Sequence, residues 1–328
     1  MPDYVLEVRD LSVVFDTVGG RTEAVRGVSF AIPRGQTLAL VGESGSGKSV
    51  SSFAILRLIQ RPGRITGGQI LFRPTSESEP IDLAALDERD ERLFNIRGGQ
   101  ISMIFQEPMT ALSPVHTIGN QLCEAILLHR TKDKKEAEEL AIEIMGKVGI
   151  PEPRQRIKQY PFEFSGGMRQ RVVIAMALVC RPTLVIADEP TTALDVTVQA
   201  QILRLLNDLK REFNTSVLFI THDLGVVAQV ADRVAVMKTG HVVERGDVRA
   251  IFRDPRHPYT RRLLAAVPHV GFEARSRELL EPATLPHGVP EGHGFDEPNG
   301  RANAKPHFHR FDDDRELLLW PMLEETQF

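Results

Sequence analysis

The stretch GESGSGKS, residues 42–49, follows the apolar run QTLALV and precedes a helical pattern. Its spacing is GxxxxGK(S/T), in which glycines let successive backbone N–H groups point at phosphate oxygens and a helix N-terminus adds favourable potential for an anion. Because a strand and a helix flank it, the motif predicts a phosphate-binding loop in an α/β protein. The candidate contacts are Gly42, Glu43, Ser44, Gly45, Ser46, Gly47, Lys48 and Ser49.

Two side chains of this loop have distinct expected roles. Lys48 is expected to reach the β- and γ-phosphates of a nucleotide, and Ser49 to offer its hydroxyl to Mg²⁺. The helix that starts at Lys48 is predicted to place its apolar residues on one face. Those residues are Val50, Phe53, Ala54 and Leu58.

Composition limits the classes of protein that need considering. The chain has 328 residues, of which 42% are hydrophobic, so it can bury the core of one large domain or of two smaller ones. A net charge of -4 gives no reason to expect nucleic acid as the main partner. The two cysteines, Cys123 and Cys180, indicate reduced thiols in a cytosolic chain. The apolar run 172–180 is too short for a membrane span, so we expect another chain to supply any membrane part.

The order of predicted elements indicates an α/β fold. Short strands with β-branched residues open the chain, and TLVIAD (183–188) and SVLFITHD (216–223) are further apolar strands separated by a helix. The segment RVAVMKTGHVVERG (233–246) is predicted to form a hairpin. Strands that alternate with helices predict a largely parallel sheet covered on both faces.

Two further regions differ from this alternation. Residues 107–180 are predicted to be a helical insertion, with one apolar stripe on a first helix and a second apolar face on the helix after the glycines of FSGGMRQR. The stripe comprises Ala137, Leu140, Ala141, Ile144, Met145 and Val148, and the second face Met168, Val172, Ala175, Met176 and Val179. From about residue 251 the chain carries six of its ten histidines and many prolines, which predicts an appended, partly irregular segment.

A phosphate-binding loop needs a second metal anchor on a neighbouring strand. Asp188 ends the strand LVIAD and can hold the Mg²⁺ shell, and the next residue, Glu189, can polarise an attacking water. His222 follows the next strand and is expected at the same edge of the sheet, although a lone histidine there is more often structural. Gln106 directly follows QISMIF and can reach the metal with its carbonyl oxygen. Phe15 could stack on a purine, but the sequence by itself favours the interpretation that it is an ordinary core aromatic.

The stretch FSGGMRQR, residues 164–171, is a second turn of anion-binding type. Ser165 is a good helix N-cap, and the glycines after it open a helix. The turn lies in the helical insertion, out of reach of the nucleotide held by the chain's own loop. We therefore expect it to serve a nucleotide held by another subunit.

Six motifs in order carry a resemblance to a known family. GESGSGKS, the glutamine of MIFQEP, FSGGMRQR, LVIADEP, TTALD and THD resemble the ATP-binding subunit of an ABC transporter over about residues 4–268. Four longer segments resemble the D-type ATPase of dipeptide/oligopeptide importers. They are KSVSSFAILRL, FQEPMTALSPVHTIG, SGGMRQRVVIAMAL and HPYTRRLLAAVP.

The resemblance implies a fold and its boundaries. It implies a P-loop NTPase of the ABC cassette type, with a RecA-like core, an antiparallel β subdomain, an inserted helical subdomain and a C-terminal extension. We expect the nucleotide-binding domain over residues 1–250, with the helical subdomain inserted at about 107–180. The extension is expected over residues 251–328.

The resemblance also implies roles for residues. Two cassettes would meet head to tail, so that Ser165, Gly166 and Gly167 contact the γ-phosphate bound by the partner and Asp195 lies at the dimer contact. Phe15 would take the adenine-stacking place. The expected cofactors are ATP and Mg²⁺, the expected metal contacts Ser49, Gln106 and Asp188, and the expected catalytic residues Glu189 and His222.

In such an assembly the chain would power import of peptides or a related small solute. Expected partners are two membrane permease subunits that contact the helical insertion, a second ATPase that is a different F-type chain or a second copy, and indirectly an extracytoplasmic solute-binding protein. The chain would lie peripherally on the cytoplasmic face of the cell membrane. Residues 181–328 contain no cysteine, so the iron–sulfur cluster of many relatives is not expected.

Alternatives remain for the tail and for the function. The histidines of HGVPEGHGFDEPNGRANAKPHFHR (287–310) could bind zinc or nickel, or the tail could dock on a partner or regulate. A soluble ABC ATPase acting on nucleic acid or ribosomes is the alternative function, but each motif occurs once and no long coiled coil is present. A regulatory nucleotide-binding module without hydrolysis is a third, against which Glu189 and His222 argue.

Overall fold

A computed structural model describes residues 3–192, 194–267, 285–286, 289–290, 293–295, 297 and 305–321. The strands are β1 Tyr4–Thr17, β2 Gly20–Pro33, β3 Thr37–Val41, β4 Gly63–Phe72, β5 Ile81–Asp82, β6 Ile101–Ile104, β7 Leu184–Asp188, β8 Ser216–Thr221, β9 Arg233–Lys238, β10 His241–Asp247, β11 His293–Gly294, β12 His307–Arg310 and β13 Glu316–Pro321. The helices are α1 Lys48–Ile55, α2 Glu91–Ile96, α3 Pro108–Ala111, α4 Ile118–His129, α5 Lys134–Lys147, α6 Pro153–Arg156, α7 Gly166–Leu178, α8 Val196–Phe213, α9 Leu224–Val230, α10 Val248–Arg253 and α11 Pro258–Ala265.

The main sheet is largely parallel, as the sequence predicts. Its strand order is β11-β13-β10-β9-β3-β8-β7-β6, and β6, β7, β8, β3 and β9 all run parallel. Every residue of β3 and β7 is buried, which is typical of strands covered by helices on both faces. Since parallel strands end at one edge, the residues that follow β3, β6, β7 and β8 gather there.

A smaller antiparallel sheet has the order β2-β1-β4-β5. Its alternating residues, including Val8, Phe30 and Phe72, are buried in one cluster with Leu40 and Ile55 of the main sheet and its helix. The small sheet is therefore packed directly beside the loop between β3 and α1.

Helices α4, α5 and α7 share a second hydrophobic cluster. The predicted stripe of α5 is confirmed, because Ala137, Ala141, Ile144 and Met145 are buried in it. The apolar face predicted for α7 packs in the same cluster, but the buried surface of this helix extends beyond that face. That helix is buried on nearly all sides, with even Gln170 only 1% exposed, because it lies between the helical region and the main sheet.

Helix α1 differs from the prediction. It ends at Ile55, so Leu58 lies beyond it and is 40% exposed, and its buried face carries Ser51, Ser52, Ala54 and Ile55. The serines can be buried because Ser51 Oγ donates to the carbonyl of Gly47 at 2.9 Å, and Ser52 Oγ to that of Ser49 at 2.8 Å. Hydroxyl groups bonded to their own helix thus replace part of the apolar face that the sequence predicts.

The C-terminal segment is more regular than its composition suggests. Strand β13 pairs antiparallel with β10, through Glu244 opposite Leu317 and Arg245 opposite Glu316, so the tail extends the main sheet. Arg315 is only 5% exposed and donates to the Asp254 carboxylate at 3.0 Å. The histidine-rich stretch 287–310 lies partly outside the described residues.

Two structural properties bear on the membrane and metal questions. In the described part of the chain, no helix combines the length and the apolar character that crossing a membrane requires. Over the same residues, no set of three or more His, Cys, Asp or Glu side chains is placed to hold a metal ion by itself.

Candidate nucleotide-binding site

The loop 42–49 joins β3 to α1 and depends on its glycines. Gly42, Gly45 and Gly47 have φ angles of 155°, 78° and 102°. A Cβ at Gly42 would lie 2.2 Å from the carbonyl oxygen of Met237, and one at Gly47 would lie 2.4 Å from that of Ala24. Close backbone approach and left-handed conformation therefore both require glycine at Gly47.

Lys48 is buried under this loop. Its Nζ donates to the carbonyl oxygens of Gly42 and Glu43, each at 2.8 Å. Burial lowers the pKa of Lys48, and the nearby carboxylates of Glu189 and Asp188 act in the opposite direction. The ammonium group is thus held at the base of the loop, where phosphate would lie.

Ser49 and Asp188 meet at the edge of the sheet. The Ser49 hydroxyl donates to Oδ1 of Asp188, the last residue of β7, at 3.2 Å. Burial raises the pKa of Asp188, which is 4% exposed, and the hydrogen bond from Ser49 lowers it. A hydroxyl and a carboxylate oxygen side by side fit Mg²⁺, which prefers hard oxygen ligands and shares them with substrate phosphates and water.

Glu189 is held by three side chains. Its Oε2 accepts from Gln106 Nε2 at 2.9 Å and from Thr192 Oγ1 at 3.0 Å, and its Oε1 lies 3.0 Å from His222 Nδ1. Its backbone is left-handed, with φ 46°, and its N–H donates to the carbonyl of Ile220 at 2.9 Å. Unusual backbone geometry that aims a carboxylate is a feature of functional sites.

Thr192 was not predicted as a site residue from the sequence. Thr192 lies three residues after Glu189, so its hydroxyl can reach back to the Glu189 carboxylate. That spacing is the signal in the sequence that could have identified it. Gln106, His222 and the pair Asp188 and Glu189, by contrast, are brought together from the ends of three strands, β6, β8 and β7, as the order of the strands requires.

The other loop residues face different surroundings. Glu43 and Ser44 are exposed, whereas Ser46 is buried and its carbonyl accepts from Gly240 N at 3.0 Å. The N–H of Glu43 donates to the hydroxyl of Tyr259, on α11, at 3.0 Å. No sequence signal connected that tyrosine with the loop.

Phe15 lies near the end of β1. It is half-buried, pairs with Thr22 and Gly63, and its ring covers Gly63, where a Cβ would come within 2.5 Å of it. The ring packs against the hydrophobic cluster beneath the small sheet. Its adenine-stacking role stays a prediction.

Ser165, Gly166 and Gly167 form the start of α7. Ser165 is its N-cap, as predicted, and its Oγ accepts from Met168 N at 3.4 Å. Gly167 lies beside the first turn of α8, since a Cβ there would be 3.2 Å from a methyl carbon of Val198. Asp195 is the N-cap of α8 and accepts from Val198 N at 2.9 Å.

These two helix starts form one exposed surface. Ser165, Gly166 and Asp195 are all exposed. Among the residues that the structure describes, no hydrogen bond connects the turn 165–167 with the loop 42–49. The turn is therefore not bonded to the chain's own phosphate-binding loop.

The parallel sheet and the loop after β3, with acidic residues at the end of β7, define a P-loop nucleoside triphosphatase. A model of the ABC transporter family matches residues 25–192, and a model described as oligopeptide/dipeptide transporter, C-terminal region, matches residues 243–297. The chain belongs to the ATP-binding subunits of the ABC transporter family.

Individual relatives agree with this assignment. The chain is 53% identical over 294 residues to the oligopeptide transport ATP-binding protein OppD of Bacillus subtilis, covering 89% of this chain and 80% of that protein. It is 54% identical over 269 residues to the dipeptide transport ATP-binding protein DppD of Bacillus subtilis, covering 82% and 78%. Among solved structures, the dimeric ATP-binding cassette MJ0796, in a post-hydrolysis state bound to ADP and Pi, matches with a TM-score of 0.64 and 28% identity, covering 74% of this chain and 99% of that chain.

Proposed function

We propose that the chain is the ATP-binding subunit of an ABC importer for peptides or a related small solute, and that it hydrolyses ATP to drive transport. Relatives more than half identical to it are named as oligopeptide and dipeptide transport ATP-binding proteins. The observation that carries the proposal is the Glu189 carboxylate, bonded to Gln106, Thr192 and His222 beside the phosphate-binding loop.

The site suits hydrolysis by positioning and electrostatics. The N–H groups of the loop and the Lys48 ammonium bind and neutralise the phosphates of ATP. Glu189 accepts hydrogen bonds from an attacking water and orients it, while His222 holds the carboxylate and supports the γ-phosphate. Mg²⁺, when bound, would be held by Ser49, Asp188 and the carbonyl oxygen of Gln106, and would neutralise developing charge on the phosphates.

The active centre is proposed to be shared between two ATPases. The exposed turn Ser165–Gly167 would contact the γ-phosphate of ATP held by the partner, with Asp195 at the same contact. Its exposure and its place beside the start of α8 support this arrangement. Phe15 would stack on the adenine of the chain's own ATP.

The wider assembly follows from the same proposal. Two membrane permease subunits would contact the helical subdomain at about 107–180, inserted in a nucleotide-binding domain of residues 1–250 and followed by an extension of residues 251–328. The second ATPase would be a different, F-type chain or a second copy, and a solute-binding protein would deliver the substrate. The chain would then lie on the cytoplasmic face of the cell membrane.

Glu189→Gln tests the proposed chemistry. The amide keeps the size of the side chain but is a poor proton acceptor, so we expect ATP binding to persist while the turnover of the assembled transporter falls by about 100-fold or more. ATP should then accumulate in a closed pair of ATPases, which size-exclusion chromatography with radiolabelled ATP would detect. The matched control is Glu143→Gln, on the exposed face of α5, which should hydrolyse ATP at the unmodified rate. Full hydrolysis by the Glu189 variant would contradict the proposal.

A further inference from the structure

The peptide group between Gly42 and Glu43 is bonded on both sides. Its carbonyl oxygen, from Gly42, accepts from Lys48 Nζ at 2.8 Å, and its N–H, from Glu43, donates to the Tyr259 hydroxyl at 3.0 Å. A peptide group is planar, so its N–H and C=O directions cannot turn independently. Whatever holds the N–H therefore also sets the direction of the oxygen that holds Lys48.

Tyr259 reaches the loop from outside the match that defines the cassette. It lies on α11, in the segment HPYTRRLLAAVP. This segment contributed to the family resemblance, but none of its residues was given a role. Its ring is 4% exposed and packs in a cluster that includes Ala39 and Val41 of β3 and Val227 of α9. Burial raises the pKa of the Tyr259 hydroxyl, so the group stays neutral at physiological pH and accepts a hydrogen bond as a phenol.

A buried carboxylate fixes the helix that carries this tyrosine. Glu244, on β10, is 1% exposed and accepts from the backbone N–H groups of Arg256 at 2.9 Å and His257 at 3.1 Å. His257 in turn caps α11, because its Nδ1 accepts from Tyr259 N at 3.1 Å. Since a buried carboxylate without its donors is costly, the start of α11 is tied firmly to the main sheet.

We propose that Tyr259 is a positioning residue for nucleotide binding, which fixes the Gly42–Glu43 peptide group and through it the Lys48 ammonium that meets the β- and γ-phosphates of ATP. The inference rests on the proposed ATP-binding function of the loop and adds to it a residue from the C-terminal segment. It gives that segment a direct part in holding nucleotide, beyond extending the sheet.

The contact is suited to this role by its geometry. Lys48 Nζ also donates to the carbonyl of Glu43 at 2.8 Å, so both carbonyl oxygens that fix the ammonium flank the atom that Tyr259 holds. The loop has left-handed residues at Gly42 and Gly45, and such a backbone has alternative conformations open to it. Removing the tyrosine hydroxyl would free the peptide to rotate and leave Lys48 less well placed before ATP arrives.

The test is a double-mutant cycle on the full chain, measured as binding of a fluorescent ATP analogue in the presence of Mg²⁺. Tyr259→Phe keeps the packed ring, so the variant should fold and its melting temperature should fall by only about 2 °C. We expect it to weaken binding by about three- to ten-fold, the size of one lost hydrogen bond. In a Lys48→Ala background the same change should alter binding by less than about two-fold, because its effect passes through Lys48.

The outcomes separate the two proposals. Tyr4→Phe, the same chemical change on β1, is the matched control and should leave binding unchanged. Equal affinity of the Tyr259→Phe chain and the unmodified chain would overturn the inference, and so would an equal loss in both Lys48 backgrounds, which indicates a purely structural role. If the unmodified chain binds no ATP at all, the proposed function itself is overturned.

Discussion

The molecule contains two helix starts of anion-binding type, and they differ in what surrounds them. The loop before α1 is anchored at its base by its own chain, with Lys48 buried and bonded to its own loop and Ser49 bonded to Asp188. The turn before α7 is exposed, and its Ser165 side chain accepts from its own helix. The groups of the first loop are thus bonded within the chain, while among the described residues no hydrogen bond joins the second turn to that loop.

The difference indicates how the work of the site is divided. A loop anchored in this way is expected to bind a nucleotide by itself, because its cation and its hydroxyl are already in place. The exposed turn is proposed to complete a site that another molecule carries. Substitutions in the first should therefore act on the single chain, and substitutions in the second should act only on the assembly.

Equivalent glycine substitutions offer the strongest test of that division. Gly47→Ala places a Cβ 2.4 Å from the carbonyl of Ala24 at a φ of 102°, whereas a Cβ at Gly166 meets nothing within 4 Å. We expect Gly47→Ala to cost about 2–4 kcal/mol of unfolding free energy and to abolish ATP binding by the single chain. Gly166→Ala should change the free energy by less than about 0.5 kcal/mol and leave ATP binding by the single chain intact.

The second half of that test uses the assembled transporter. There, Gly166→Ala should lower ATP turnover by about ten-fold or more, because its methyl group occupies the space expected for the partner's phosphate. Urea denaturation and ATPase assays measure the two effects. A Gly166→Ala variant that loses ATP binding as a single chain would break the distinction between the two regions.

Asp188→Asn tests how much the buried Asp188 carboxylate destabilises the folded chain. We expect a smaller effect than that of Gly47→Ala. Burial raises the pKa of Asp188 above its ordinary 3.8, so the folded chain holds that proton more tightly than the unfolded chain. Ionised Asp188 therefore weakens folding, and the weakening grows as pH rises through the raised pKa. At pH 7 and without nucleotide we expect Asp188→Asn to be about 1 kcal/mol more stable, although its Mg²⁺-dependent ATP binding is weaker.

Urea denaturation at several pH values measures this effect. The advantage of Asp188→Asn should shrink as pH is lowered towards 4 and the carboxyl of the unmodified chain takes up its proton. Asp195→Asn, an exposed N-cap at the other region, is the control and should show no such gain. If Asp188→Asn instead lowers the free energy of unfolding of the nucleotide-free chain, the buried charge does not destabilise the fold.

Thr192→Val is expected to have the smallest effect. It removes one of the three side-chain hydrogen bonds to Glu189 and keeps the shape of the side chain. Turnover of the assembled transporter should fall by about two- to five-fold at unchanged ATP affinity, because only the aim of the carboxylate is loosened. Thr131→Val, which removes a threonine hydroxyl bonded to Glu136 on the surface, should leave turnover unchanged. A loss of ATP affinity in Thr192→Val would contradict this role.

The local parts of the site were predictable from the sequence. The spacing of GESGSGKS requires a loop between a strand and a helix, and apolar runs that end in Asp188 and before His222 place those residues at strand ends. The direction of parallel strands then brings them to one edge. These predictions depend only on residues that are close together in the chain, and their pattern can be recognised in the sequence.

What could not be predicted depends on contacts between distant segments. The buried face of α1 was predicted incorrectly, because buried serines bonded to their own helix resemble polar surface residues in a sequence. The pairing of β13 with β10 joins residues far apart in the chain, across a stretch of irregular composition. The contact of Tyr259 with Glu43 N has the same origin, since no local pattern marks a hydroxyl whose partner is a backbone N–H elsewhere.

The pairing of β13 with β10 also bears on how the protein is made. As the chain leaves the ribosome, β10 can join β9 well before Glu316–Pro321 have been synthesised. In that interval β10 presents an open edge, with unpaired backbone groups at which another nascent chain could add a strand. Strand β13 therefore covers this edge of β10, and a chain cut short before it would be prone to aggregate even with every proposed nucleotide-binding residue in place.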